Sequence, residues 1–180
     1  MKTISAIDEK SDLLKIITFP DPLLTRKSER VENITQEIVD LSGKMIKAMI
    51  AAPGQGLAAV QVGALKRIIV MDDKSGGEDD EIEPVTMINP EIIDSEGVEI
   101  NEEGCLSIPT IYADLPRPSS VRVSFTSLDG RHEQIELKGA SARCLAHEVD
   151  HLDGSLFWDR LSKGRRLWLK MKFFKRFGLK

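Results

Sequence analysis

The chain is short of the residues that build disulfide-stapled or membrane-spanning proteins. Its 180 residues include only two cysteines, three histidines and one tyrosine. Two cysteines do not make the disulfide framework of a small secreted domain, and they more readily serve as a ligand, a nucleophile or core filler. No apolar run approaches the roughly 20 residues that a membrane helix needs. The composition therefore predicts one domain over residues 1–180, with a sizeable core of its own.

The N-terminal residues also lack the features of a targeting sequence. Met1 to Leu14 carries the acids Asp8, Glu9 and Asp12 and no apolar core segment. A secretory signal peptide needs such a segment, and an organelle transit peptide is rich in arginine and poor in acids. We therefore expect a protein that stays in the reducing cytoplasm.

The most informative segment is the five-residue run His147-Glu148-Val149-Asp150-His151. On a helix, residues four apart lie on the same face, so both imidazoles can reach one metal ion. Glu148 can lie beside a water on that ion, where a carboxylate acts as general base and then as general acid. The spacing is that of the H-E-x-x-H signature of metallohydrolases, and a chance arrangement on an exposed helix is the alternative.

Hydrophobic spacing predicts helices before and after a set of strands. Apolar residues from Ile34 to Ala52 recur at helical spacing, and a second helix is expected over 140–152, closed by Gly154. Between them lie five strand-like runs, at 67–71, 85–89, 91–100, 121–127 and 132–137. The last two flank Asp129-Gly130, a strong hairpin signal. This order predicts an α+β fold, with antiparallel sheets around a central helix that carries the H-E-x-x-H motif.

The third ligand of such a metal has to come from another part of the chain. Downstream of the motif the sequence offers Asp153 and Asp159 but neither histidine nor glutamate. Upstream, Cys105 follows Gly104, where a glycine lets the backbone approach a ligand closely. A thiolate there would complete a Cys-His-His site with one open position. For an isolated cysteine, a buried small apolar residue is the more common role.

Three separated motifs resemble those of the peptide deformylases, which remove the N-formyl group from nascent polypeptides that begin with formylmethionine. The likeness runs from Phe19 to Asp159, and it implies a metal-dependent hydrolase of linear amides that releases formate. The motifs are Gly54-Gln55-Gly56-Leu57-Ala58-Ala59-Val60-Gln61, Glu103-Gly104-Cys105-Leu106-Ser107 and the H-E-x-x-H run described above.

The resemblance implies a metal site and an acid/base residue. Cys105, His147 and His151 match the family's ligands to one divalent metal ion. That ion is expected to be Fe²⁺, with Zn²⁺ or Ni²⁺ able to substitute. Glu148 matches the residue that takes a proton from the metal-bound water and later delivers one to the departing amine.

The resemblance also implies residues that contact the substrate. The backbone N–H of Leu106 and the side-chain amide of Gln61 match the donors that stabilise the oxyanion. Taken alone, Gln61 is more typical of a solvated strand start. Five further residues match substrate-binding positions: Gln55, Gly56 and Gly104, whose backbone would pair with the peptide; Cys144, on the methionine pocket; and Arg117, near the substrate path. Arg117 is equally consistent with an exposed position in a proline-rich loop.

The C-terminal segment, residues 160–180, contains nine Lys or Arg residues and no acid. We expect a basic amphipathic helix from the N-cap Ser162 to Phe177, ended by Gly178. Three roles are open for it: a solvated terminal helix, docking onto ribosomal RNA as in some family members, or binding to an anionic membrane surface.

Other functions also fit parts of the sequence. A metallopeptidase that cuts internal amide bonds needs only the H-E-x-x-H run. An inactive, ribosome-binding relative could keep a structural metal. A thiol enzyme could use Cys105 as its nucleophile. We expect formyl-Met nascent peptides as the partner and a monomeric protein.

Overall fold

The computed structural model describes residues 13–72 and 84–179. The acidic N-terminal residues Asp8, Glu9 and Asp12, together with Lys180, lie outside this part of the chain. The helices are α1 (Gln36–Ala51), α2 (Gly139–Leu152) and α3 (Lys163–Phe177), with short 3-10 turns at Pro22–Thr25, Ala59–Val62 and Phe157–Arg160. The strands are β1 (Gly56–Ala58), β2 (Ile68–Asp72), β3 (Pro84–Glu96), β4 (Glu99–Cys105), β5 (Ile108–Arg117), β6 (Ser120–Thr126) and β7 (His132–Lys138).

The strands form two antiparallel sheets. The larger sheet has the order β1-β2-β3-β6-β7, and the smaller one consists of β4 and β5. The predicted hairpin at Asp129-Gly130 joins β6 to β7, with Thr126 opposite His132 and Gly130 at a φ of 84°. The antiparallel pairing and the helices on either side in sequence confirm the predicted α+β class.

One long strand, β3, takes in the strand expected at 85–89 and most of the one expected at 91–100, whose last two residues, Glu99 and Ile100, begin β4. Its first half pairs with β2 and its second half pairs with β6, with register shifts between Ile88 and Glu91 and between Ile92 and Asp94. Pro90 lies at the first shift, where a residue without an N–H can be accommodated. The sequence break at Pro90 therefore marks a bulge rather than the end of a strand.

Helix α2 lies at the centre of the molecule. Nearly every position from Ser141 to Leu152 is buried, and the helix packs against β1, β2 and β7. Its apolar side chains share a core with Val121 and Val123 of β6. A second cluster joins α1 to β1 and β2, and a third joins β5 to Phe157, Trp158 and α3. A helix enclosed in this way holds its side chains at fixed positions.

The ends of α2 and α3 agree with the predicted caps. The Ser162 side chain accepts a hydrogen bond from the N–H of Arg165, and Gly178 takes a left-handed φ of 62° after α3. Gly154 has a φ of 75°, and a Cβ there would lie 2.6 Å from the carbonyl oxygen of Thr25. The C-terminal end of α2 therefore packs directly on the N-terminal segment. No helix in 13–72 or 84–179 has the length and apolar character to cross a membrane.

Candidate metal centre and its cleft

The residues predicted as metal ligands converge at one point. Cys105 ends β4, and His147 and His151 lie one turn apart on α2. Their Sγ and ring nitrogen atoms all lie within 4.8 Å of one another. Sγ of Cys105 is 3.1 Å from Nε2 of His151. Cys105 is the last residue of β4, and the tight β4–β5 turn at Leu106-Ser107 follows it.

Glu103 fixes the orientation of the first imidazole. Its Oε1 lies 2.5 Å from Nδ1 of His147, which donates its proton to the carboxylate. This leaves Nε2 of His147 as the available ligand nitrogen. Burial alone would raise the pKa of Glu103, but the hydrogen bonds from His147 and Arg117 outweigh it and lower that pKa to about 2. Glu103 is therefore ionised at neutral pH.

The electrostatic surroundings of the two imidazoles favour a cation between them. Burial opposes a charge on His147, yet the negative groups of Cys105, Glu103 and Glu148 raise its pKa well above the usual value. Burial lowers the pKa of His151 well below the usual value, so that imidazole stays neutral, as a metal ligand must be. One cysteine sulfur and two imidazoles within reach of one another fit a divalent metal ion.

Glu148 lies beside the ligands in a buried position. Its side chain is 4% exposed, and within the described part of the chain its Oε2 has no hydrogen-bond partner. Burial raises the pKa of Glu148 to about 7. A carboxyl with a pKa near neutrality can both accept and release a proton at physiological pH. The unpaired oxygen marks where a water or substrate group would bind.

Two of the ligand residues, Cys105 and His147, line a cleft of about 630 Å³, whereas the fully buried His151 does not. The cleft separates the two sheets, because β1 is an edge strand of the larger sheet and β4 is paired only with β5 among the described strands. The cleft is lined by seven further residues of the predicted site: Gln55, Gly56, Gln61, Gly104, Leu106, Cys144 and Glu148.

Two glycines bring the backbone of these edge strands close to the site. A Cβ at Gly56 would lie 2.6 Å from Sγ of Cys144 and 2.9 Å from Oε1 of Glu148. A Cβ at Gly104 would lie 2.6 Å from the ring of Tyr112. Side chains at these positions would displace their neighbours, so both strand edges depend on glycine.

Gln61 is held by both ends of its amide. Its Oε1 accepts a hydrogen bond of 2.8 Å from the N–H of Ala58, which turns Nε2 toward the ligands. Nε2 lies 3.2 Å from Oγ of Ser107 and 3.8 Å from Sγ of Cys105. Gln61 is 1% exposed and belongs to a 3-10 turn, so the alternative of a solvated strand start is wrong.

Arg117, like the ligand residue His151, is not among the residues that line the cleft. It ends β5 with its side chain fully buried, and it donates hydrogen bonds to Glu103, Asp150 and the carbonyl of Ala146. The alternative of an exposed arginine in a loop is therefore wrong, whereas a position near the substrate path stays a prediction. Two inward-facing carboxylates need a cation, and Arg117 provides it at their shared position.

Three other neighbours of the site had no role in the sequence interpretation. Glu103 belonged to a quoted motif, and Asp150 lay within the H-E-x-x-H run. Arg143, one turn before His147, hydrogen-bonds to Oε2 of Glu103 at 3.2 Å. A carboxylate that binds the second nitrogen of a metal-ligating histidine is a general feature of metal sites, and it could have directed attention to Glu103.

Comparison with known proteins agrees with this geometry. The family model for polypeptide deformylase matches residues 13–167. The chain belongs to the polypeptide deformylase family. The peptide deformylase of Agrobacterium fabrum is 43% identical over 161 residues, which cover 89% of this chain and 94% of that one. The peptide deformylase of Afipia carboxidovorans is 47% identical over 163 residues, with coverage of 89% and 94%.

Solved deformylase structures have the same fold. The peptide deformylase of Ehrlichia chaffeensis in complex with actinonin is 40% identical, with a TM-score of 0.82 over 91% of this chain and 97% of that one. The peptide deformylase of Synechococcus elongatus, also in complex with actinonin, is 38% identical with a TM-score of 0.83 over 94% and 90%. The predicted resemblance to the deformylase family is confirmed.

Proposed function

We propose that this member of the deformylase family hydrolyses the N-formyl group of peptides that begin with formylmethionine. The observation that carries the proposal is the convergence of Cys105, His147 and His151, with Cys105, His147 and the buried Glu148 lining one cleft. Hydrolysis of an amide needs an activated water, a proton carrier and donors for the oxyanion, and this cleft offers residues for each.

Cys105, His147 and His151 would hold one divalent metal ion. Bound there, the ion would act as a Lewis acid and lower the pKa of water at the site. We propose Fe²⁺ as the native metal, with Zn²⁺ or Ni²⁺ as substitutes, from the resemblance to the deformylase family. A thiolate with two imidazoles accepts all three ions, so the ligand type alone does not choose between them. Anaerobic reconstitution of metal-free protein with each ion, followed by turnover measurement, tests this ranking.

Glu148 would carry protons during the reaction. Its unpaired Oε2 is the free position from which it takes a proton from the attacking water, and it then delivers one to the departing amine. Because burial raises the pKa of Glu148 to about 7, the same carboxyl can act as base and then as acid. A carboxyl with an ordinary pKa would be a weaker proton donor at neutral pH.

Gln61 and Leu106 would stabilise the negative charge that develops on the formyl oxygen. The amide of Gln61 is oriented by the N–H of Ala58, so Nε2 is preorganised as a donor on the ligand side. An amide also donates without a titrating charge. Leu106 lines the cleft directly after Cys105, where its backbone N–H is the second donor in this proposal.

The peptide would bind as an added strand between β1 and β4. Gln55, Gly56 and Gly104 line the cleft on these two edges, and main-chain pairing there tolerates varied residues after the first. Cys144, 9% exposed, would line the apolar pocket for the methionine side chain. Burial raises the pKa of the Cys144 thiol well above its usual value, so the thiol stays neutral and unreactive in the lining of this pocket.

Formate release from formyl-Met-Ala-Ser tests the proposal against its alternatives. The proposal predicts formate without cleavage of internal bonds, which mass spectrometry of the products would detect. Internal cleavage would favour a metallopeptidase. Activity that survives chelators and is abolished by thiol alkylation would favour Cys105 as a nucleophile. Metal binding without any turnover would favour an inactive relative.

We also propose a docking role for the surface of α3 that faces solvent. Leu169 and Phe173 pack into the core, whereas Leu167, Trp168 and Met171 are 58–62% exposed among lysines and arginines. A cationic helix with exposed aromatic and apolar groups fits ribosomal RNA near newly made chains. A cytoplasmic location and a monomeric state are part of the same proposal.

Cosedimentation with ribosomes at increasing salt tests this docking, because phosphate contacts weaken steeply with salt. Lys172→Glu combined with Lys175→Glu should abolish binding. Lys15→Glu combined with Lys27→Glu, which changes the same charge at exposed positions elsewhere, should not. Binding to anionic vesicles that persists at high salt would instead indicate a membrane surface.

A further inference from the structure

A continuous chain of charged groups leads from a metal ligand to the protein surface. Glu103 holds Nδ1 of His147, and Arg117 donates to both oxygens of Glu103, at 2.6 Å and 3.0 Å. The remaining terminal nitrogen of Arg117 lies 2.6 Å from Oδ2 of Asp150. Arg160 then donates to both oxygens of Asp150 through Nε and Nη2. The order is therefore His147, Glu103, Arg117, Asp150, Arg160.

This chain connects the elements that carry the three ligands. Glu103 precedes Cys105 by two residues on β4, and Asp150 precedes His151 by one residue on α2. Arg117 bridges the two carboxylates and thereby ties the strand with the sulfur ligand to the helix with the two imidazoles. The distance between these elements sets the distance between the ligands.

The position of Arg117 depends on a balance between its two carboxylates. Arg117 and Glu103 are 0% and 7% exposed in their side chains, and Asp150 is 11% exposed. A buried carboxylate without a full set of donors is costly, and both draw on one guanidinium, Glu103 through Nε and Nη2 and Asp150 through Nη1. Arg160 supplies Asp150 with two donors of its own, and this leaves Arg117 free to hold Glu103 with two hydrogen bonds.

We infer that Arg160 is a positioning residue for the metal centre. Because Arg160 donates two hydrogen bonds to Asp150, Arg117 keeps its two hydrogen bonds to Glu103. Glu103 then keeps its hydrogen bond with Nδ1 of His147. Arg160 touches neither the ligands nor the cleft, and its side chain is 48% exposed, so its removal opens no cavity in the core. The inference rests on the proposed metal centre.

Anaerobic loading with Co²⁺ tests this role, because the visible spectrum of the ion reports ligand geometry directly. The variants are Arg160→Ala, Arg160→Lys and the matched control Arg166→Ala. Arg166 makes a nearby ion pair with Asp159 at 3.1 Å, is 39% exposed and does not belong to the chain of charges. Loss of Co²⁺ to a chelator in excess gives a rate for each variant.

Arg160→Ala should lose Co²⁺ about 10-fold faster than wild type and show a shifted visible band, as outer partners of metal ligands typically affect affinity by 10–100-fold. Arg160→Lys keeps the charge but loses the bidentate contact with Asp150. It should therefore lose Co²⁺ at a rate between those of wild type and Arg160→Ala. Arg166→Ala should match wild type. Because Asp150 loses two donors, metal-free Arg160→Ala should also melt at a lower temperature, so the Co²⁺ spectrum recorded well below that temperature is the deciding readout.

A wild-type rate and spectrum in Arg160→Ala would overturn the inference, as would an equal acceleration in Arg166→Ala. These outcomes are distinct from failure of the metal centre itself. If wild-type protein bound no Co²⁺, the Cys-His-His site would be wrong, and the inference about Arg160 would be wrong with it.

Discussion

Sγ of Cys105 lies 3.1 Å from Nε2 of His151, although 46 residues separate the two in sequence. The contact joins the end of a strand in the smaller sheet to the last turn of a central helix. Cys105 is half-buried, whereas His151 is fully buried. A thiol and a neutral imidazole held this close, with a second imidazole one turn away, form a ligand set before any metal binds.

Cys105→Ala should remove the third ligand and lower metal affinity by at least about 10-fold, because even outer partners of a ligand contribute that much. Metal content after dialysis, measured by elemental analysis, checks this. The matched control is Cys144→Ala, which changes the other cysteine at a position that lines the same cleft but is no part of the ligand set. Equal metal loss in both variants would contradict the assignment.

Glu103→Gln should weaken metal binding by about 10–100-fold, since the neutral amide holds Nδ1 of His147 less strongly and leaves Arg117 with one carboxylate fewer. Competition with a chelator of known affinity measures the change. Glu102→Gln is the control, because Glu102 is an exposed neighbour on the same strand that also lines the cleft. Affinity unchanged in Glu103→Gln would argue against an orienting role.

Glu148→Gln should make the metal-free protein more stable above pH 7. Burial raises the folded-state pKa of Glu148 from 4.5 to about 7, so wild type loses stability as the pH rises through this window. Below pH 4.5 the carboxyl is protonated in both states, and the variant should match wild type. At the upper end the difference reaches at most about 3 kcal/mol.

Urea unfolding at several pH values measures this difference in the free energy of unfolding. Glu91→Gln, at an exposed position on β3, should show no such pH-dependent gain. A gain in Glu148→Gln that stayed constant from pH 4 to pH 8 would show that ionisation of this carboxyl is not its cause.

Gly56→Ala should reduce turnover by at least about 100-fold, because the new Cβ would lie 2.9 Å from Oε1 of Glu148 and displace it. Gly43→Ala is the matched control. Gly43 lies in α1 with nothing within 4 Å of an added Cβ, so alanine should stabilise the helix by about 1 kcal/mol and leave turnover unchanged. Turnover near wild type in Gly56→Ala would contradict the close packing of β1 on the acid/base residue.

Features that depend on local chemistry were predictable from the sequence. The limits of α3 follow from the Ser162 cap and Gly178, and the β6–β7 hairpin follows from Asp129-Gly130. The facing positions of His147 and His151 follow from helical spacing alone. In each case a few neighbouring residues determine the conformation.

Features that depend on distant partners were not predictable in the same way. β3 continues past Pro90 because β6 pairs with its second half, a contact that nothing near Pro90 indicates. Arg117 resembles an exposed residue in sequence, and only the meeting of β4 with α2 surrounds it with Glu103 and Asp150. A charged residue is buried where opposite charges from other elements meet, and its neighbours in sequence carry little of that information.

Formate release from formyl-Met-Ala-Ser, by protein purified anaerobically and analysed for metal, tests the central claim most directly. We expect turnover with about one divalent metal ion per chain, and we expect Glu148→Ala to keep the metal and lose at least about 100-fold in turnover. Metal-loaded wild-type protein that releases no formate, or Glu148→Ala that releases it at the wild-type rate, would contradict the account.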